Sequence, residues 1–129
     1  MARVPDLDGD GTPELAVGAP FAQAATGNAN SGVLWILRLI PDGFVKAEPR
    51  VSQGEGGFLG ATGNSSIFGA EPTPLGDIDG DGRQELAVGA TRTFDFVAND
   101  FKGALYILSL NPDGSVANDW QFGPAELAP

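Results

Sequence analysis

Two short stretches of this chain carry carboxylates at the same spacing. Asp6, Asp8 and Asp10 alternate, Gly11 follows and Glu14 closes the set; Asp77, Asp79, Asp81, Gly82 and Glu85 repeat it. Four like charges in so short a segment repel strongly unless a cation stands among them. Donors made only of oxygen suit a hard divalent ion. Calcium accepts about six to eight of them in flexible geometry, whereas magnesium demands tighter octahedral order and keeps its waters. The glycine permits the sharp turn that wraps the chain around the ion. Thr12 and Arg83 occupy the same place in the two stretches, where a backbone carbonyl can serve, so their side chains are free to differ. An Asp-Gly pair alone is usually just a turn; four carboxylates repeated intact point to metal. A helical calcium loop of the EF-hand type opens the same way but needs a bidentate Glu at its twelfth position. Here that position holds Val17 and Val88, and Leu-Ala-Val-Gly-Ala follows the Glu as a strand would.

The rest of the composition narrows the chemistry further. The chain has 129 residues and neither Cys nor His. Disulfides, thiolate or imidazole zinc sites and any Ser-His-Asp triad are therefore ruled out. Hydrophobic residues at 42% against charged residues at 19% describe a globular chain, and 19 Gly with 10 Pro suit many turns between strands. Net charge is −10, which disfavours nucleic acid and anionic membranes as partners. The excess is local: eight of the 17 acids lie in the two stretches, and the other nine stand against seven bases in the chain. No segment approaches the roughly 18 apolar residues of a membrane span. Met1-Ala2-Arg3-Val4-Pro5 lacks the apolar core of a signal peptide, so either a signal has been removed or the chain is cut from a longer protein.

The elements that position these carboxylates follow from a repeat of 71 residues. Residues 6–45 and 77–116 share 21 identities in 40 positions without a gap. The chain is therefore expected to be one unit of two copies, about 1–57 and 58–129. Strands are expected at Glu14–Ala19 and Glu85–Ala90, then at Gly32–Leu39 and Gly103–Leu110. Pro-Asp-Gly turns at 41–43 and 112–114 lead into strands at Phe44–Ser52 and Ser115–Gly123. A further strand at Ser66–Asp77 enters the second acidic loop, whereas the first copy has too few residues before Asp6 for an equivalent. Four antiparallel strands per repeat make an all-β chain of about two β-propeller blades. Val33, Trp35, Leu37 and Leu39 on one face and Leu34 and Ile36 on the other make a strand apolar on both sides, as a sheet stacked between neighbouring sheets requires.

These residues resemble a known family. Phe68-Gly69, Leu75-Gly76-Asp77-Ile-Asp-Gly-Asp-Gly82 and Glu85-Leu-Ala-Val-Gly-Ala90, with Gly18-Ala19-Pro20 in the first copy, are similar to the FG-GAP repeat of integrin α-subunit-type propellers and their bacterial relatives. Copy two departs with Thr91 where the proline is expected. The resemblance implies one Ca2+ in each hairpin, two per chain. Its ligands would be Asp6, Asp8, Asp10, the Thr12 carbonyl and Glu14, and Asp77, Asp79, Asp81, the Arg83 carbonyl and Glu85. It implies a non-catalytic module for assembly, adhesion or recognition; calcium loops of this kind suit the high calcium outside the cell, so an extracellular or cell-surface place is expected. The alternative is a fragment of a propeller enzyme such as a polysaccharide lyase or a phosphodiesterase, for which no acid–base pair can be named. Such propellers have six or seven blades, and two blades would expose apolar faces. The expectation is a head-to-tail ring of identical chains, a trimer giving six blades. The copies diverge most in the loops at 20–31 and 91–102; Phe94, Phe96 and Phe101 are expected to pack on a neighbouring blade and Asn28, Asn30 and Asn99 to be ordinary loop residues, the alternative being a patch for a protein or glycan ligand. The Gly-rich stretch 54–63 reads as the crossover between blades, not as a phosphate loop.

Overall fold

A computed structural model describes residues 2–25, 27, 31–58, 67–90, 94–95, 100–101 and 103–122. Every regular element among them is a strand. The first sheet contains β1 (Ala2–Val4), β2 (Glu14–Ala19) and β3 (Val33–Leu39), with β4 (Val45–Ala47) and β5 (Arg50–Val51) both pairing with β3. The second contains β6 (Phe68–Gly76), β7 (Gln84–Ala90), β10 (Ala104–Leu110) and β11 (Val116–Phe122), in the order β11-β10-β7-β6. The short pair β8 (Phe94–Asp95) and β9 (Asp100–Phe101) lies in the connection between β7 and β10. All pairings are antiparallel. The two sheets are the blades of a β-propeller, as the repeat predicts.

Two expectations need correction. The first copy does have a leading strand: β1 pairs with β2 through Ala2↔Ala16 and Val4↔Glu14, because three residues suffice to continue the ladder. The strand expected over 44–52 is broken into β4 and β5. Pro49 falls in the gap and has no N–H to donate to a ladder, although its carbonyl still accepts from Ile36 N at 3.0 Å. The equivalent position in copy two is Trp120, and β11 runs through it unbroken.

Burial shows how the blades stack. In β3, Leu34 and Ile36 are fully buried while Trp35, Leu37 and Leu39 are only partly covered. In β10 the parity is reversed: Tyr106, Leu108 and Leu110 are buried and Leu105 and Ile107 are partly covered. The first pair of strands repeats the pattern, with Ala16 buried beside half-covered Leu15 and Val17, but Leu86 and Val88 buried beside half-covered Ala87. Opposite faces of the two copies therefore meet. Their common core runs from Ala16, Leu34 and Ile36 of one blade to Leu86, Val88, Tyr106 and Leu108 of the other. Phe58, from the crossover, stacks on Phe68 at 4.7 Å between centroids and meets Tyr106 edge-on at 5.0 Å.

The family motif lies at this seam. A Cβ on Gly18 would stand 1.8 Å from the carbonyl oxygen of Gly69, so two residues 51 positions apart touch backbone to backbone. Phe68 N donates to Ser31 O across the same seam at 2.9 Å. Phe68-Gly69 of one repeat thus docks on Gly18-Ala19 of the repeat before it, and glycine is needed because any side chain would part the sheets.

Candidate metal centre

Each acidic stretch is the tip joining two neighbouring strands, β1 to β2 and β6 to β7. The tips are shaped by their own carboxylates. Asp6 accepts from Gly9 N at 2.9 Å and Gly11 N at 2.7 Å; Asp77 accepts from Gly80 N at 2.9 Å and Gly82 N at 2.8 Å. Asp8 and Asp79 accept from the amides two residues on, both at 3.2 Å. Asp10 and Asp81 accept from Thr12 N and Arg83 N, both at 2.8 Å. Gly11 and Gly82 have φ of 85° and 86°, a conformation that side-chain-bearing residues resist. The two loops match bond for bond here.

This folding gathers the carboxylates that the spacing singled out. One oxygen from each of Asp6, Asp8, Asp10 and Glu14 lies within 4.8 Å of the others, and the same holds for Asp77, Asp79, Asp81 and Glu85. The aspartates are exposed except Asp8, which is half-buried beside Lys46 and Arg38, while Glu14 and Glu85 form the floor at 0% and 1% exposure. Glu14 Oε2 accepts from Leu7 N at 2.7 Å, but Oε1 has no partner, and neither oxygen of Glu85 has one. Burial pushes both glutamates up from the ordinary carboxylate range. At Glu14 the Leu7 amide opposes the rise and the aspartate charges add to it; at Glu85 the Asp79 carboxyl adds to it. Burying carboxylate oxygens without partners is costly unless a positive charge reaches them. The donor set is wholly oxygen, anionic and converging, so the residues fit a hard divalent cation.

Some residues that matter to these loops were not singled out by spacing. Lys46, from β4, contacts Asp8 Oδ2 at 2.7 Å and also bonds to Asp10 Oδ2. Arg38, from β3, bonds to Asp8 Oδ2 at 2.8 Å. Lys46 first and Arg38 second hold the Asp8 carboxyl well below the usual carboxylate range. In the second loop the Arg83 side chain is not idle: its guanidinium reaches Asp81 Oδ2 and Asn111 Oδ1, each at 3.3 Å. Asp81 is lowered mainly by the Arg83 amide. The sequence signal for Arg38 and Lys46 was their place on either side of the Pro41-Asp42-Gly43 turn, whose strands fold back past the loop. Of the loop residues considered for ligand contact, Phe96, Asn28, Asn30 and Asn99 lie outside the described residues, as do residues 59–63 of the Gly-rich stretch. For Phe94 and Phe101 only the backbone pairing is described.

With this geometry in hand, comparison with known proteins is decisive. The FG-GAP repeat family matches residues 2–37 and 68–108. The chain belongs to the FG-GAP repeat family. The two matched segments contain both acidic loops and both sides of the Gly18–Gly69 seam. Among FG-GAP relatives, integrin alpha-5 of Xenopus laevis is 36% identical over 90 residues, covering 70% of this chain and 8% of that protein. Integrin alpha pat-2 of Caenorhabditis elegans is 34% identical over 93 residues, covering 72% of this chain and 7% of that protein. The chain thus spans less than a tenth of the length of either relative.

Proposed function

We propose that this chain is a non-catalytic pair of FG-GAP blades that binds two Ca2+ and acts outside the cell as an adhesion or recognition module. Each ion is held by one loop, through Asp6, Asp8, Asp10, the Thr12 carbonyl and Glu14, or through Asp77, Asp79, Asp81, the Arg83 carbonyl and Glu85. The observation that carries the reading is the buried glutamate under three converging aspartates, present twice. The ion supplies charge that offsets their repulsion. The chain supplies the turn, held by Asp6 and Asp77 on the glycine amides, and the strands that fix the glutamates. The clustered carboxylates serve the metal and none serves catalysis. The role in adhesion or recognition rests on kinship with integrin α chains.

The same proposal includes assembly with further blades, supplied by copies of the chain. Its support is the reversed burial parity. The half-covered face of blade one (Leu15, Val17, Trp35, Leu37) is of the type that is buried in blade two. The half-covered face of blade two (Ala87, Leu105, Ile107) is of the type that is buried in blade one. The two open faces are therefore the same two kinds that pack within the chain, and a head-to-tail neighbour reproduces that seam. Three chains close six blades. Copy one, about 1–57, and copy two, about 58–129, would then be the repeating unit.

Calorimetric titration of the metal-free chain with calcium tests the first part; two ions per chain are expected. Melting should rise with calcium and fall with chelator. A ligand at one hundred times its dissociation constant adds about 2.7 kcal/mol per site. A melting curve indifferent to both additions would end the calcium reading.

A further inference from the structure

The two loops agree in every carboxylate and differ in the cations beside them. Lys46 Nζ bridges Asp8 and Asp10, and Arg38 bonds to Asp8, so two positive groups sit on two of the first loop's expected ligands. The repeat replaces them with Ala117 and Ser109 in copy two. There the cation at the loop, among the described residues, is Arg83 on Asp81. It stands at 3.3 Å rather than 2.8 Å or less, shares its guanidinium with Asn111, and its side chain is 43% exposed against 22% for Arg38 and 30% for Lys46. We infer that the two calcium loops are unequal, with Lys46, aided by Arg38, acting as a tethered competitor that keeps the first loop weaker than the second.

The inference rests on the proposed calcium reading and deepens it. A divalent ion entering the first loop must displace an ammonium from Asp8 and Asp10, and the displaced group remains tied within a few ångströms of the ion. Coulomb repulsion between a divalent and a unit charge at that range is several times RT even after solvent screening. In the second loop the larger obstacle is absent: the cation there, among the described residues, is Arg83, at 3.3 Å from Asp81 alone. That difference favours the second loop. The fold would therefore carry one site that fills first and one that responds at higher calcium.

The test is calorimetric titration of the full chain with calcium chloride at fixed ionic strength, for the wild type, Lys46→Met, Ala117→Lys and Glu85→Gln. The wild type should show two classes of site. Lys46→Met should tighten the weaker class roughly tenfold and leave the tighter one unchanged, an effect of the size expected for removing one charge at a partly screened site. Ala117→Lys should weaken the tighter class, and Glu85→Gln should remove it and leave the weaker. Lys46 is a surface side chain, so its variant decides the matter even if Ala117→Lys does not fold. Calcium binding in one class, or in two classes that Lys46→Met does not move, overturns the inequality and leaves the calcium reading standing. If no variant takes up calcium, the calcium reading and this inference fall together.

Discussion

At the scale of single residues, two sets of buried polar atoms differ in what can reach them. Glu14 and Glu85 lie under the acidic loops, where a cation can reach them. Tyr106 lies in the seam between the blades, fully buried, with its hydroxyl lacking a partner. Burial first, and the charge of Asp119 second, push the Tyr106 phenol up to about 12 from an ordinary 10.0. Its neutral form is thus favoured by the fold. The stability this gives is complete below pH 10 and is lost as pH rises through 12. Tyr106 is the chain's one tyrosine, so tyrosinate absorbance near 295 nm reads it without overlap from another. That absorbance should rise with a midpoint near 12, and unfolding should accompany the rise. Tyr106→Phe should abolish the signal and stabilise the chain by about 1 kcal/mol in denaturant unfolding, since it removes an unsatisfied buried oxygen and keeps the ring contacts with Phe58 and Phe68. A midpoint near 10 would mean that the ring is not held between the blades.

At the scale of strands and turns, periodicity and the repeat made most of the fold legible. Alternation over Val33–Leu39, the Pro-Asp-Gly turns and the shared offset placed β2, β3, β7, β10 and β11 to within a residue or two. The carboxylate clusters were equally legible, because their ligands are local in the chain. Three features were not. The short β1 is held by pairing to β2 rather than by its own pattern, which three residues cannot display. The break at Pro49 depends on which strand side lacks a donor. The contacts of Lys46 and Arg38 with Asp8 span 38 and 30 positions, and depend on how the β3–β4 hairpin folds back. The docking of Gly18 on Gly69 is likewise non-local, although the family motif marks both ends. Its prediction is sharp. Gly18→Ala puts a methyl group where the Gly69 carbonyl oxygen already stands, and both sides are backbone, so no rotamer change relieves it. Overpacking of this kind costs about 3 kcal/mol or more, which denaturant unfolding should detect. The same change at Gly89, the corresponding residue on the open side, leaves 3.4 Å to the Ala70 carbonyl oxygen and should cost much less. Equal costs would show that the seam does not depend on close approach of the two backbones.

At the scale of the whole molecule, the proposed assembly depends on the two open faces. Blade two presents a groove of about 250 Å³ lined by Ile78, Asp79, Glu85, Ile107, Trp120 and Phe122, and Ile78 and Trp120 are 62% and 43% exposed. Within the chain, the matching positions Leu7, Ile36, Pro49 and Val51 are covered at least in part, and Gly114 of the second Pro-Asp-Gly turn presses on Pro49 and Ile36. A head-to-tail neighbour would set its Gly43, the counterpart of Gly114, against Trp120 and Ile107. Magnitudes decide the form of this association. Burying a large apolar side chain contributes about 1.5–3 kcal/mol, while joining two molecules costs on the order of 4–15 kcal/mol. One seam between two chains therefore gains little, whereas the third chain of a ring closes two seams for one further association cost. The expected pattern is a monomer–trimer equilibrium with little dimer, stronger with calcium because Ile78 and Asp79 belong to the second loop. Sedimentation over a wide concentration range should show it in the wild type. Trp120→Asp, which places a charge on the open face and leaves the inner core untouched, should remain monomeric while keeping the tyrosinate midpoint near 12 as the mark of an intact seam. A wild type that stays monomeric at every concentration, with calcium present, would refute self-assembly and leave the exposed face to blades from another chain.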